Sequence, residues 1–216
     1  MTAGLYVTVE GLDGSGKTTQ LERLAAWLTD AGHTVVATRE PGGTEVGQLV
    51  RDIVLHHRGD IAPRAEALLF AADRAHHIAT KVRPALERGE IVLQDRYIDS
   101  SVAFQGAGRV LDPEEVRRVS EWATDGLYPA LTVLLDLDPS VARQRIDAAQ
   151  KVFDRIEAEA VEFNQRIRAA YLGMAETEPQ RWLVIDATLP PDEIAAAIRE
   201  RVMSLLATRS VVRGTP

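Results

Sequence analysis

Residues 5–18 read LYVTVEGLDGSGKT, a short apolar run that passes directly into a glycine-rich turn. The turn matches G-x-x-x-x-G-K-[ST] at every fixed position, and a segment with helical spacing follows it. Glycines let backbone N–H groups converge on a phosphate, and the N-terminus of the following helix adds about half a positive charge. In this pattern Lys17 reaches the β- and γ-phosphate oxygens, and the Thr18 hydroxyl ligates Mg²⁺. The sequence therefore predicts a nucleoside triphosphate site, formed by Gly11, Leu12, Asp13, Gly14, Ser15, Gly16, Lys17, Thr18 and Thr19.

Short apolar runs alternate with longer segments of helical spacing along the rest of the chain. Strands are predicted over residues 5–10, 34–38, 91–95, 131–137 and 182–186, and helices over 18–31, 45–56, 63–88, 113–124, 154–175 and 191–207. Hydrophobicity that is continuous rather than alternating, as in residues 132–135 (TVLL), indicates strands covered on both faces. The alternation predicts an α/β fold with a parallel five-stranded sheet flanked by helices. We expect a single domain over residues 1–208 and a flexible tail over 209–216.

The composition of the 216-residue chain excludes several classes of function. With 25 Lys and Arg against 32 Asp and Glu, its net charge is −7, which argues against partners such as nucleic-acid polymers or anionic membranes. The chain has no cysteine, which excludes disulfides, thiolate zinc sites and thiol catalysis. Its first residues carry no secretory signal, and no apolar run approaches the roughly 20 residues of a membrane span. We therefore expect a cytoplasmic protein.

A phosphate-binding loop is shared by GTPase switches, motor-type ATPases, regulatory ATP-binding modules and small-molecule kinases. A GTPase normally reads guanine with Asn-Lys-x-Asp, and none of the three lysines of this chain, Lys17, Lys81 and Lys151, follows an asparagine. Motor ATPases need coupling domains, for which 216 residues leave little room. The loop by itself does not choose between a kinase and a regulatory module.

The third predicted strand is followed by a polar segment, residues 95–106 (DRYIDSSVAFQG). Ligands of parallel α/β sheets bind at the carboxyl ends of the strands, where this segment begins. Asp95 can hold the water shell of a metal ion there, and Arg96 can fork onto a phosphate. An Asp-Arg pair alone is more often a structural salt bridge. The serines, phenylalanine and glutamine that follow favour a site that recognises a base and a sugar.

Together with the phosphate-binding loop, this segment resembles the thymidylate kinase family. Residues 39–44 (REPGGT) look like the family's loop after the second strand, residues 68–74 (LLFAADR) like its base-binding helix, and residues 154–157 (DRIE) like the motif that closes its lid. The motifs follow the family's order from about residue 6 to residue 187. The resemblance implies a P-loop nucleoside monophosphate kinase fold with a short mobile lid over about residues 140–157. It also implies a homodimer that phosphorylates dTMP to dTDP with ATP and Mg²⁺.

The resemblance assigns roles in recognition of the thymidine part of the substrate. Phe70 would stack on thymine, and Arg74 would donate a hydrogen bond to its carbonyl edge. Ser101 and Gln105 would help to read the base. Phe104 would lie where a ribose 2′-hydroxyl would project, which would disfavour ribonucleotides.

A second group would hold the phosphate and the sugar hydroxyl. Arg51 and Arg96 would bind the dTMP phosphate with help from Arg39, and Asp13 would approach the sugar 3′-hydroxyl or the metal. The dTMP site implied in this way comprises Asp13, Arg39, Pro41, Arg51, Phe70, Arg74, Arg96, Ser100, Ser101, Phe104 and Gln105.

The predicted chemistry needs positioning and charge neutralisation rather than a general base, because the acceptor is an ionised phosphate. The glycine-rich turn has no arginine at its variable positions, so the resemblance implies that lid arginines act on the transferred group. Before residue 154, however, the family usually has Arg next to Gly, where this chain has AAQK over residues 148–151. The sequence leaves open which lid cation acts. The predicted catalytic set is Lys17, Asp95, Arg96, Arg143, Arg145 and Lys151, with Thr18 and Asp95 as metal ligands.

Two alternatives remain beside a thymidylate kinase. One is a kinase for another (deoxy)nucleoside or its monophosphate, although the arginine cluster suits an acceptor phosphate better than a hydroxyl. The other is a catalytically weak nucleotide-binding regulator, which the unusual lid keeps open. Gln94 is also less apolar than the family usually has at that position. We expect the two histidine pairs, His56 with His57 and His76 with His77, to lie at a helix surface or an interface.

Overall fold

The computed structural model describes residues 4–57, 59–109, 111–148 and 161–211, with side chains up to residue 208. Two predicted features of the lid, Lys151 and the motif over residues 154–157, lie outside this part of the chain. The described strands form one parallel sheet in the order β2-β3-β1-β4-β5. They are β1 (Leu5–Glu10), β2 (Val35–Arg39), β3 (Ile91–Asp95), β4 (Leu131–Asp136) and β5 (Trp182–Asp186). The predicted α/β fold with a five-stranded parallel sheet is confirmed.

The sheet places the glycine-rich turn at a crevice. Strand β1 is buried along its whole length and lies in the middle of the sheet, with β3 on one side and β4 on the other. Its residue Val9 is in register with Asp95 of β3 and with Val133 of β4, so the carboxyl ends of these strands meet at one edge. Open parallel sheets bind ligands outside this edge, where neighbouring connections diverge.

Helices connect the strands. In chain order they are α1 (Lys17–Asp30), α2 (Glu45–His56), α3 (Pro63–His77), α4 (Arg83–Glu87), α5 (Ile98–Ser101), α6 (Pro113–Thr124), α7 (Pro139–Ala148), α8 (Val161–Thr177) and α9 (Pro191–Val211). A π-helical stretch, Ile78–Val82, joins α3 to α4, so the predicted helix over residues 63–88 is present with a wider turn inside it. Helix α1 packs against α9, while α3 packs against both α2 and α6.

One helical segment was not predicted from the sequence, and a second overlaps residues 140–153, where the sequence leaves open a solvated helix or a basic lid. Helix α5 continues as a π-helix over Val102–Gly108, inside the polar segment that was predicted only as a binding segment. Helix α7 occupies the first part of the predicted lid, and the rest of the lid, residues 149–157, lies outside the described residues. Helix α9 continues four residues beyond its predicted end at residue 207. The lid and the flexible tail both stay predictions.

No helix within the described ranges combines the length and the apolar character that crossing a membrane requires.

Candidate active site

The glycine-rich turn wraps around the end of the Lys17 side chain. Lys17 Nζ lies 3.1 Å from the carbonyl oxygens of both Gly11 and Leu12 and 3.5 Å from Asp13 Oδ1. Gly16 has a φ of 95°, a conformation that glycine adopts without strain, and it begins α1 at the point where the turn ends. Burial lowers the pKa of Lys17, with Arg96 acting in the same direction. A phosphate placed between the turn and Lys17 would replace these internal contacts.

A cavity of about 440 Å³ opens beside the turn at the carboxyl edge of the sheet. It gathers residues from the glycine-rich turn, the loop after β2, helices α2 and α3, and the segment after β3. The predicted site residues that line it are Asp13, Gly14, Gly16, Lys17, Thr18, Thr19, Arg39, Pro41, Arg51, Phe70, Arg74, Asp95, Arg96, Ser100, Ser101, Phe104 and Gln105. Residues separated by up to 92 positions in sequence thus share one concave site, as a ligand pocket requires.

Asp95 and Thr18 present oxygens that suit Mg²⁺. Both line the cavity, and Asp95 Oδ1 is buried with no hydrogen-bond partner among the residues that the structure describes. Mg²⁺ is usually held by one or two protein oxygens together with substrate phosphates and water. Within the described ranges no cluster of three or more Asp, Glu, His or Cys could hold a metal without such help. The donor set therefore fits Mg²⁺ that arrives with a nucleotide.

Arg96 points across the cavity toward the glycine-rich turn. Its Nη2 donates to Asp13 Oδ1 at 2.7 Å, its Nη1 lies 3.3 Å from Ser100 Oγ, and its guanidinium carbon is 4.8 Å from the centre of the Phe104 ring. The residue has a φ of 65°, in the left-handed region that side chains other than glycine rarely adopt. Backbone strain of this kind is often found at functional sites. The positively charged guanidinium group of Arg96 is therefore held between the glycine-rich turn and the rest of the cavity.

The surroundings of Gln94 explain why a polar residue occupies a strand position that is usually apolar in the family. Its side chain is fully buried, accepts a hydrogen bond from Tyr6 Oη at 2.8 Å, and donates one to the Arg96 carbonyl at 2.9 Å. A polar residue is therefore tolerated at this strand position because the amide is satisfied on both sides. Through the second bond it also supports the backbone of Arg96.

Arg74 lines the cavity, and hydrogen bonds to other residues of the protein hold its side chain in place. It is 2% exposed, and its Nε donates to Glu40 Oε2 at 2.8 Å while Nη2 donates to the Tyr97 carbonyl at 3.0 Å. The hydroxyls of Ser101 and Ser120 accept its remaining contacts. Protein groups therefore engage every nitrogen of the guanidinium. Its hydrogen bond to the thymine carbonyl edge stays a prediction.

The expectation that His77 lies at a surface is wrong. His77 has no solvent exposure, and its Nδ1 donates to Glu40 Oε1 at 2.9 Å, while Nε2 lies 2.7 Å from Thr38 Oγ1. Helix α3 turns this side chain toward the loop after β2, so that Glu40 is held between Arg74 and His77. The neighbouring His76 is half-buried. Adjacent residues on a helix face different directions, which separates the pair.

Arg51, Arg39 and Phe70 line the cavity on the side of α2 and α3. Arg51 Nη1 donates to the Pro41 carbonyl at 3.1 Å, which holds the arginine against the loop after β2. Arg39 is exposed, and Phe70 is half-buried. Their positions bring two further cations and one aromatic face to the same cavity as Arg96 and Phe104.

The two lid arginines that the structure describes do not line the cavity. Arg143 pairs with Asp147 on the exposed face of α7. Arg145 reaches back to the glycine-rich turn, where it lies 3.3 Å from the Gly14 carbonyl, and its Nη2 donates to the Ala187 carbonyl at 2.9 Å. The structure therefore shows Arg145 bracing the turn from outside. The catalytic roles of Arg143, Arg145 and Lys151 stay predictions.

Four carboxylate or hydroxyl residues next to the cavity were not singled out by the sequence. Glu10 accepts hydrogen bonds from the Tyr97 backbone N–H at 2.7 Å and from Ser100 and Tyr171. Glu40 lines the cavity, and Glu66 accepts a hydrogen bond from Gln105, which also lines it. A signal existed for Glu10, which is a carboxylate at the end of an apolar strand just before the glycine-rich turn. No local pattern indicates Tyr171, because it comes from the distant helix α8.

The fold and the cavity together define a P-loop kinase of small phosphorylated substrates, with a triphosphate loop on one side and a cationic and aromatic acceptor pocket on the other. A family model described as thymidylate kinase matches residues 9–198. The chain belongs to the thymidylate kinase family.

Similar proteins agree with this assignment over nearly the full chain. The chain is 63% identical to the thymidylate kinase of Clavibacter michiganensis subsp. michiganensis over 204 residues, which cover 94% of this chain and 97% of the relative. It is 52% identical to that of Deinococcus radiodurans, with coverages of 92% and 96%. The crystal structure of thymidylate kinase from Ehrlichia chaffeensis superposes with a TM-score of 0.76 at 30% identity, covering 93% of this chain and 99% of that one.

Proposed function

We propose that this protein transfers the γ-phosphoryl group of ATP to the phosphate of dTMP, giving ADP and dTDP for dTTP synthesis. The observation that carries the proposal is the shared cavity. Lys17 of the triphosphate loop and Arg96 of the acceptor segment meet there around Asp13, while Phe70 and Gln105 form the wall suited to a base. Acceptor and donor phosphates would thus be held face to face, as in-line transfer requires.

The side chains supply positioning and charge rather than proton transfer. Thymidylate kinases in general use ATP and Mg²⁺, and here Thr18 and Asp95 are the residues that would hold the metal. When bound, Mg²⁺ neutralises charge on the donor phosphates. Lys17 and the backbone N–H groups of residues 11–18 would hold the β- and γ-phosphates, and Arg96 would orient the acceptor phosphate. The attacking oxygen already carries negative charge at neutral pH, so no side chain needs to remove a proton.

The test is ADP release with dTMP, dUMP, CMP, GMP and thymidine as acceptors. We expect dTMP to give the highest kcat/KM. A better turnover with another monophosphate would support the alternative of a different nucleotide kinase, and ATP binding without turnover would support a regulator. Both results would contradict the proposal.

The same assay tests the phosphate clamp. Arg96→Ala should lower kcat/KM for dTMP by roughly a hundredfold or more, because truncation of a half-buried charge hydrogen-bonded to Asp13 costs about 2–5 kcal/mol. ATP binding should stay measurable, since Lys17 and the glycine-rich turn are intact. Arg88→Ala, which removes a mainly exposed arginine paired with Glu90 outside the cavity, is the matched control and should keep wild-type turnover. Wild-type turnover of Arg96→Ala would remove the clamp from the proposal.

We also propose that the protein is a cytoplasmic homodimer. The family resemblance implies a dimer, and an exposed apolar row on α2 and α3 supports it, since Leu49 is 67% and Leu68 is 59% exposed. Substrates that are ionised nucleotides support the cytoplasmic location.

A further inference from the structure

A buried carboxylate lies directly behind the base wall of the cavity. Glu66 is in the first turn of α3 and is 1% exposed. Its Oε1 accepts a hydrogen bond from Gln105 Nε2 at 3.1 Å and another from Arg109 Nε at 3.2 Å. Arg109 in turn lies with its guanidinium carbon 5.0 Å from the centre of the Phe163 ring. Gln105 is therefore hydrogen-bonded to the Glu66 carboxylate. The Arg109 side chain that pairs with this carboxylate lies against the Phe163 ring.

The carboxylate decides which end of the Gln105 amide is available to a ligand. An ionised carboxylate only accepts hydrogen bonds, so Gln105 must turn its NH₂ group toward Glu66 and cannot turn its carbonyl oxygen there. Gln105 lines the cavity, and among the described residues nothing donates a hydrogen bond to its Oε1. This leaves the carbonyl oxygen and the second amide hydrogen for the base.

These two groups have a defined pattern of acceptor and donor. Thymine and uracil carry an N–H at ring position 3 between two carbonyl oxygens, so the N–H can donate to Oε1 of Gln105 while a carbonyl accepts from Nε2. Cytosine has an unprotonated nitrogen at position 3 next to an amino group, which is the opposite pattern. A Gln105 amide turned by 180° would match cytosine equally well, because the two ends of an amide have nearly the same shape.

We propose that Glu66 is a positioning residue that sets the base specificity of the site, by fixing Gln105 in the orientation that accepts an imide pyrimidine and rejects cytosine. Glu66 lies behind the Gln105 wall, so it acts through Gln105. The inference rests on the proposed function, because it takes the base wall to bind the acceptor nucleotide. A site discriminates strongly against a ligand that leaves its polar groups unpaired. With cytosine in this site, two donors or two acceptors would face each other at Gln105.

Glu66→Gln tests the proposal with an almost isosteric change. The new amide can either accept from or donate to Gln105, so both orientations of Gln105 become available. We expect the ratio of kcat/KM for dTMP to kcat/KM for dCMP to fall about tenfold or more, mostly through the KM values, with dCMP turnover rising. Glu66→Asp keeps an acceptor-only group and should retain the preference for dTMP. Glu178→Gln, a change at a carboxylate paired with Arg181 away from the cavity, should leave the ratio unchanged.

A purely structural role for Glu66 predicts a different result. Glu66→Gln would then lower the melting temperature and the turnover of both nucleotides together, with an unchanged ratio, and this would overturn the proposal. The effect must also disappear when Gln105 is absent. In the Gln105→Ala background, Glu66→Gln should no longer alter the ratio, because the two residues act as one unit. A wild-type enzyme that does not phosphorylate dTMP would instead overturn the proposed function itself.

A measurement on the wild-type protein covers the case in which Glu66→Gln does not fold. In ¹⁵N-resolved NMR spectra, one side-chain amide proton of Gln105 should be shifted downfield and protected from exchange by its bond to the carboxylate. We expect this in the free protein and with dTMP bound. Two equivalent, rapidly exchanging Gln105 amide protons would show that Glu66 does not fix the amide, and the proposal would fall.

Discussion

Glu10 is a single buried residue that accepts hydrogen bonds from several residues on the acceptor side of the cavity. It ends β1 without any solvent exposure, and its two oxygens accept hydrogen bonds from the Tyr97 N–H at 2.7 Å, Ser100 Oγ at 2.6 Å and Tyr171 Oη at 2.8 Å. Burial raises the pKa of Glu10 from 4.5 to about 7, with Asp99 acting in the same direction, against the opposing hydrogen bond from Ser100. This carboxyl group therefore titrates near neutral pH in the folded protein.

The raised pKa of Glu10 predicts a loss of stability as the pH rises. Between pH 4.5 and about 7 the folded state keeps a proton that the unfolded state has released, so the free energy of unfolding falls through this range. A shift of 7 − 4.5 = 2.5 in the pKa corresponds to about 3 kcal/mol. Glu10→Gln removes this titration. The free energy of unfolding, measured with urea, should therefore fall between pH 5 and pH 8 by about 3 kcal/mol less in the variant than in the wild type.

The control for this pH effect is Glu87→Gln, which changes an exposed carboxylate and should keep the wild-type pH dependence. Equal pH dependence in Glu10→Gln and the wild type would contradict the assignment.

Residues in local patterns were predictable, and residues held by distant partners were not. Lys17 and Thr18 occupy fixed offsets in one turn, so their place beside a phosphate follows from eight consecutive residues. The pairing of Arg74 with Glu40 spans 34 positions, and the burial of His77 depends on the same carboxylate. Both require knowing how α3 packs on the loop after β2, which no spacing within either segment encodes.

At the scale of elements, the missed helix over Ile98–Gly108 shows how a π-helix hides from a sequence pattern. Its second part, Val102–Gly108, has wider turns than an α-helix, so apolar residues do not recur at three and four positions. It also contains glycines, which normally indicate a loop. Gly108 is required there by packing, because a Cβ would lie 2.7 Å from the Phe163 ring of α8. Helix α8 thus packs closely on the segment that carries Phe104 and Gln105.

Helix α7 makes a similar close contact with the glycine-rich turn. Gly14 has a φ of 80°, and a Cβ at this residue would lie 3.0 Å from the Ala142 carbonyl and 3.3 Å from Ile146 Cγ1. Arg145 of the same helix contacts the Gly14 carbonyl and bonds that of Ala187. The helix therefore supports the outer side of the triphosphate loop and links it to the segment after β5.

The position of α7 predicts that its two arginines contribute differently. Arg145→Ala removes a contact to the turn and a bond to the segment after β5, so the KM for ATP should rise about tenfold, which corresponds to roughly 1.4 kcal/mol for a lost charged hydrogen bond. Arg143→Ala removes a surface pair with Asp147, which typically contributes less than about 1 kcal/mol, so its melting temperature should be nearly unchanged. Steady-state kinetics at saturating dTMP measure the first effect. An unchanged KM for ATP in Arg145→Ala would contradict the bracing role.

At the scale of the whole molecule, helices α2, α3 and α6 form a layer that leaves apolar side chains outside. Leu49 on α2, Leu68 on α3 and Trp122 on α6 are 67%, 59% and 84% exposed. A groove of about 390 Å³ lies between α3 and α6, and its lining includes Leu68, Val116 and Val119 together with the charged residues Arg64, Glu115 and Arg118. Exposed apolar side chains of this kind are typical of an interaction site, and a two-fold dimer would cover the same side chains on both copies.

The proposed dimer predicts a specific response to Leu68→Glu. In a two-fold interface one substitution places a carboxylate on both copies, and moving a charge from water into an apolar interface is unfavourable. Sedimentation equilibrium should give twice the chain mass of 23.7 kDa for the wild type and a single chain mass for Leu68→Glu. Because Leu68 is exposed, the variant should keep its fold and its near-ultraviolet circular dichroism. Met203→Glu, on the half-exposed face of α9, is the matched control and should remain a dimer. A monomeric wild type, or equal dissociation by both substitutions, would show that this layer is not the interface.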